Sequence, residues 1–169
     1  MMELEIVAAA REEEPILARL LELYAHDLSD VAGLTIGADG RFGYGPLPLY
    51  WTDPGRHPYL FRVDGNLAGF ALVKMGSEVT GTLDVWDVAE FFVLRRFRRR
   101  GFGVRAAHGV WSRHAGPWEV RVMDRNTEAL GFWQQAADAF VGAHIEPEFV
   151  ELRGKRWHVF RLASGALPN

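Results

Sequence analysis

The chain contains no cysteine, and that absence removes disulfides, thiolate metal sites and any acyl-enzyme built on a cysteine nucleophile. Neither charge dominates. The 19 Lys+Arg against 22 Asp+Glu leave a net charge of -3, so there is no global attraction to nucleic acid or to an anionic membrane. Long hydrophobic runs are also missing. The first apolar stretch, Ile6 to Ala10, is too short to export or to span, and the residues around it are acidic where a signal peptide is basic. The expectation is a cytoplasmic protein with no membrane partner. The six histidines, at positions 26, 57, 108, 114, 144 and 158, lack metal-ligand spacing, and no metal is implied. No repeat or low-complexity tract interrupts the chain. Its 169 residues, 49% of them hydrophobic, suffice for one buried core and suggest a single domain over residues 1–169.

The pattern that is present reads as alternating strands and helices. Leu4 to Ala9 is a short apolar strand. Glu12 to Leu28 carries a helical stripe through Ile16, Leu17, Leu20, Leu21, Leu23 and Tyr24, opened by three glutamates and Pro15, which suit a first helical turn. Asp30 to Pro58 is rich in Gly, Pro and Asp with interspersed aromatics, and reads as an ordered functional loop. Tyr59 to Val63 and Leu67 to Met75 flank the turn Asp64-Gly65-Asn66 as a hairpin. A strand from Leu83 to Leu94 ends in the continuous run Phe91-Phe92-Val93-Leu94, which predicts a central position in the sheet. A basic, Gly-rich turn follows, then a helix to His114, a strand at Trp118 to Met123 and a helix from Asn126. Phe140 to Ile145 and Arg156 to Leu162 read as closing strands, with fraying expected after Ala163.

The informative segment is Val93-Leu94-Arg95-Arg96-Phe97-Arg98-Arg99-Arg100-Gly101-Phe102-Gly103-Val104. It combines a strand end, a basic turn with two glycines and a helix start. Backbone N–H groups and the helix dipole at such a turn can face phosphate oxygens, and arginines add charge-assisted bonds. The glycine spacing is neither that of a dinucleotide fold nor that of a P-loop. A run of five arginines at positions 95 to 100 also suits a solvated face or a nucleic-acid patch. The paired glycines tip the reading towards a pyrophosphate cradle, with no nucleic-acid partner.

Arg98-Arg99-Arg100-Gly101-Phe102-Gly103 resembles the acyl-coenzyme A signature Q/R-x-x-G-x-G/A of the GNAT superfamily. The resemblance implies an α/β (α+β) fold: a mixed, mostly antiparallel central sheet with splayed central strands and helices on both faces. It implies an N-acetyltransferase that uses acetyl-CoA, with a homodimer as an open alternative to a monomer. The pantetheine arm would lie along the backbones of Val93, Leu94 and Arg95. The pyrophosphate would meet Arg98, Arg99, Arg100, Gly101, Phe102, Gly103 and Val104. Asn126 would bond the cofactor, although asparagine there is equally a plain helix cap. Where the family commonly has Phe-Tyr, with a phenol near the thioester sulfur, this chain has Phe132-Trp133. An indole N–H donates a hydrogen bond but is no general acid. All four tyrosines, Tyr24, Tyr44, Tyr50 and Tyr59, precede the signature strand, so a substitute phenol would have to come from the first helix or the aromatic loop; otherwise water protonates the thiolate.

Direct acetyl transfer to a protonated amine calls for a carboxylate or an ordered water chain beside the sulfur. Glu90 and Asp87 are the candidates, each also readable as an ion-pair partner. In a regular strand they face opposite sides unless a bulge intervenes, and Glu90 is the preferred base. The acceptor is a small-molecule or peptide amine. Asp39, Asp53, Tyr44, Tyr50 and Trp51 could form its pocket or could cover the core. A non-catalytic acyl-CoA binding module is the alternative function.

Overall fold

A computed structural model describes residues 1–165. The chain runs β1 (Leu4–Ala8), α1 (Glu14–Ala32), β2 (Arg56–Val63), β3 (Asn66–Met75), β4 (Trp86–Val93), α2 (Phe102–Trp111), β5 (Gly116–Met123), α3 (Thr127–Val141), β6 (Glu148–Leu152) and β7 (Lys155–Ser164). The strands form one seven-stranded sheet in the order β1-β2-β3-β4-β5-β7-β6. Every neighbouring pair is antiparallel except β4 and β5. This is the mixed sheet the resemblance implied, with β4 at its centre.

The burial pattern explains why these segments pair. Phe70, Ala71, Leu72 and Val73 of β3 are all fully buried, because α1 covers one sheet face and α2 and α3 cover the other. Leu17, Leu20 and Leu21 pack with Leu60, Phe70, Leu72 and Phe92 on the first face. Phe61, Val73 and Val88 pack with Ala106, Val110, Trp111, Trp133 and Ala137 on the second. Gly69 allows β3 and β4 to approach: a Cβ there would stand 2.0 Å from the Phe92 carbonyl oxygen.

Several boundaries differ from the sequence reading. Helix α1 runs on to Ala32 and stops at Gly33, which takes φ 67°. The segment that follows contains a 3-10 turn, Leu47–Trp51. The hairpin loop is only Asp64-Gly65, with φ of 49° and 77°, since Val63 already pairs with Asn66. The expected strand Phe140 to Ile145 does not form. Phe140 and Val141 finish α3, and Gly142 ends it with φ 76°. The edge strand is Glu148–Leu152 instead. Strand β7 continues past Ala163 to Ser164, and residues 166–169 of the tail expected to fray lie outside the described residues. Among the described residues, no helix is long and apolar enough to cross a membrane.

Candidate active site

The parallel pair β4 and β5 holds only at its start, through Trp86 with Trp118 and Asp87 with Glu119. Beyond Asp87 the strands splay. The opening leads into a cleft of about 430 Å³ lined from β4 by Val88, Ala89, Glu90 and Phe91 and from β5 by Val120, Arg121 and Val122. Helix α1 contributes Tyr24, the following loop Tyr44, and the far wall Asn126, Ala129 and Trp133. The amide of Leu94 donates to the Ala68 carbonyl on the β3 side. By strand alternation, the Val93 N–H points towards the splay.

A β-bulge decides which carboxylates meet. Leu72 pairs with Glu90 but Val73 pairs with Val88, so Ala89 is an extra residue in β4. The bulge therefore turns Asp87 and Glu90 to the same face, the one covered by α1. Their environments differ. Asp87 is fully buried and accepts from Arg121 Nη2 at 3.0 Å, and it is not among the residues lining the cleft. Burial raises its pKa against the pull of Arg121. Glu90 is half-buried at the cleft floor. Burial raises its pKa, opposed by the hydroxyls of Tyr24 and Tyr44 and by the more distant Arg121.

The two phenols complete this cluster. Tyr24 is pushed well above an ordinary phenol by burial and by the charge of Glu90. Tyr44 is raised by the same two causes. Both are therefore neutral where they line the cleft with Glu90, and poorer acids than an ordinary phenol. Tyr50 and Trp51 lie elsewhere: Tyr50 is buried in the α1-side core and Trp51 Nε1 donates to Ala9. Asp39 and Asp53 are tied into local turns by Arg41 N and Gly55 N and do not line the cleft. The expected acidic and aromatic pocket thus reduces to Tyr44, while Arg121 was not foreseen. Its signal in the sequence is a charge inside the apolar strand Trp118-Glu119-Val120-Arg121-Val122.

The Gly-rich turn starts α2. Gly101 is its N-cap with φ 80°, and a Cβ there would meet nothing within 4 Å. What Gly101 supplies is a left-handed turn that opens onto free space in front of the α2 N-terminus. Gly103 differs, since a Cβ there would lie 2.9 Å from Phe132 Cε2. Its role is to seat the Phe132 ring, which stacks on Phe91 at 5.7 Å. Phe102 is buried in the core, and Val104 packs against it. Trp133 packs edge-on to Phe91 at 5.0 Å and lines the cleft. The Asn126 side-chain oxygen Oδ1 caps α3 by accepting from Ala129 N at 3.2 Å.

The arginines divide into two groups. Arg98 donates to the Val93 carbonyl and to Asp27, each at 2.6 Å, and Arg95 donates to Asp27 at 2.9 Å. These two brace the turn against α1. Among the described residues, Arg99 and Arg100 enter no ion pair. Burial pulls the Asp27 pKa up, but bonds from Arg98 and Arg95 outweigh it and hold the carboxyl below its usual range. Its contribution to stability is therefore present above the ordinary carboxylate range and is lost as pH falls through the lowered value. Asp27→Asn should cost about 1–2 kcal/mol in denaturant unfolding at pH 7, and the deficit should vanish in acid, where wild-type Asp27 is protonated.

Residues 18–138 match the family model described as the Acetyltransferase (GNAT) family, and the chain belongs to that family of acyltransferases. Solved structures share its fold. An acetyltransferase from Thermus thermophilus is 15% identical, with 95% of this chain and 96% of that chain covered at a TM-score of 0.68. The aminoglycoside acetyltransferase AAC(6')-Ib in complex with coenzyme A is 11% identical, with 95% of each chain covered and a TM-score of 0.69. The spermidine/spermine N-acetyltransferase SpeG from Vibrio cholerae is 12% identical, covering 95% of this chain and 92% of that chain at 0.59. A search of curated protein sequences found no match.

Proposed function

We propose that the protein moves an acetyl group from acetyl-CoA directly to a primary amine, with both substrates bound together. The observation that carries this reading is the β4–β5 splay, which places a half-buried carboxylate, Glu90, in a cleft that also reaches Asn126 and Trp133 near the α3 N-terminus. The residues present fit the cosubstrate. The free space beyond Gly101 and the N–H groups of the first α2 turn would take the pyrophosphate, assisted by Arg99 and Arg100. The outward N–H of Val93 would hold the pantetheine arm, with Leu94 and Arg95 shaping its path. The ammonium first loses one proton to give the free amine; transfer then breaks the thioester C–S bond and forms an amide C–N bond, the nitrogen losing a second proton and the sulfur gaining one, so that one proton is released overall.

Glu90 takes the proton from the incoming ammonium, because it is the carboxylate that lines the cleft among the described residues. Burial raises its pKa above that of an exposed glutamate, which makes it the stronger base of the two. Tyr24 and Tyr44 line the cleft beside Glu90, and burial makes each a poorer acid than an ordinary phenol. Trp133 offers an N–H without acidity. The thiolate, a moderately stable leaving group, then takes its proton through solvent, which slows the reaction without forbidding it. Thiol release from acetyl-CoA, followed across a panel of amines, tests the proposal. Release that requires both protein and an amine is expected. Tight acetyl-CoA binding with no amine accepted would favour a binding module.

A further inference from the structure

The charge inventory around the cleft points to the class of amine, an inference that rests on the acetyltransfer reading. Glu90 and Arg121 are the charged residues lining the cleft among those described. The neighbouring carboxylates are engaged, Asp124 beyond Ala32 by Arg156 and His158. Glu22 accepts from the amides of Phe42 and Gly43, each at 2.9 Å. Asp27 is held by Arg95 and Arg98, and Asp87 by Arg121. The cleft can therefore neutralise one ammonium, at Glu90. The wall leading away from Glu90 is apolar. On α1 it is the stripe Leu21, Ala25, Leu28 and Ala32, and the following loop adds Leu34 and Phe42. This spacing of four, three and four residues places all four α1 side chains on one helix face. Arg121 lines the same cleft as a cation, and among the described residues its ion-pair partner is Asp87.

We infer that the acceptor is a primary monoamine with an apolar body, its ammonium at Glu90 and its hydrocarbon chain along the α1 wall. A second ammonium on the same chain would lie against hydrocarbon with no carboxylate in reach and with Arg121 opposing it, a desolvation that is not repaid. Polyamines and aminoglycosides are thereby disfavoured. Exposed Leu34, at 43% of its free surface, sits on this wall where a new carboxylate would meet a distal ammonium.

Hexylamine and hexamethylenediamine, equal in length and differing by one ammonium, make the test, with kcat/KM read from thiol release at pH 8. The monoamine should be preferred by about tenfold or more. Leu34→Glu should narrow that ratio to about twofold by raising diamine turnover. A wild-type preference for the diamine overturns the inference, as does a ratio unmoved in Leu34→Glu. Calorimetric binding of acetyl-CoA in the same preparations separates the two readings. If acetyl-CoA binds, neither hexyl amine reacts and another amine of the panel releases thiol, the apolar-amine assignment fails alone; if acetyl-CoA does not bind, or binds and no amine releases thiol, the acetyltransfer reading fails with it.

Discussion

Glu90→Gln is expected to lower kcat by about a hundredfold to ten-thousandfold while acetyl-CoA affinity holds, because the carboxyl lies on the face covered by α1 and not at the Gly-rich turn. The wild-type pH profile should carry the matching signature. Burial raises the Glu90 pKa above the ordinary carboxylate range despite the opposing hydroxyls of Tyr24 and Tyr44. Activity should therefore fall as pH drops through that raised value, and the limb should be missing from the residual rate of Glu90→Gln. Stability moves in the opposite sense. A carboxyl whose folded pKa is raised contributes fully below its unfolded value, about 4.3, and that contribution is lost as pH rises through the folded value. At pH 8 wild type thus carries a half-buried charge that glutamine does not. Glu90→Gln should melt at a higher temperature than wild type at pH 8, and the gain should disappear near pH 4. Loss of activity together with gain of stability at one residue marks a group kept for chemistry. A wall residue would lose neither rate nor its pH limb, and Asp87→Asn, which strands Arg121 in a buried site, should lose stability instead.

The sequence made the centre of this molecule legible and its margins less so. Phe91-Phe92-Val93-Leu94 read as central because a strand buried on both faces shows no alternation, and β4 is the middle strand of seven. Phe140 to Ile145 failed for a related reason. A short apolar run looks alike in a helix and in a strand, and here Phe140 packs on His108 and Trp111 from the last turn of α3. Strand β6 was missed because its pattern, Glu148-Phe149-Val150-Glu151-Leu152, leaves mostly exposed residues at the sheet edge. In the site, the motif glycines were visible but their separate duties were not. Gly101 is set by φ and Gly103 by a ring that arrives from α3, 29 residues later in the chain. The meeting of Tyr24, Tyr44 and Glu90 depends on the register of α1 over the sheet, which local pattern does not encode. The bulge at Ala89 was the condition attached to both carboxylates facing one side, and the condition is met.

The cradle makes the other large prediction, and it needs two substitutions at one position. Gly101 holds φ 80° at the N-cap of α2 with open space beyond its Cα. Alanine there bears the left-handed backbone strain, about 1–2 kcal/mol, but adds little bulk. Tryptophan bears the same strain and also fills the space in front of the first α2 amides. Gly101→Ala should therefore lower the unfolding midpoint while binding acetyl-CoA nearly as wild type does. Gly101→Trp should show a similar stability loss and weaken acetyl-CoA binding by about a hundredfold or more, about 2.7 kcal/mol. Equal weakening by both would mean that the turn's conformation, and not the space it opens, governs binding. Undiminished binding in Gly101→Trp would place the pyrophosphate elsewhere. The arginines at 99 and 100 would then be better tested by the salt dependence of nucleic-acid binding, which falls steeply with salt when phosphates are neutralised and is indifferent to the glycine.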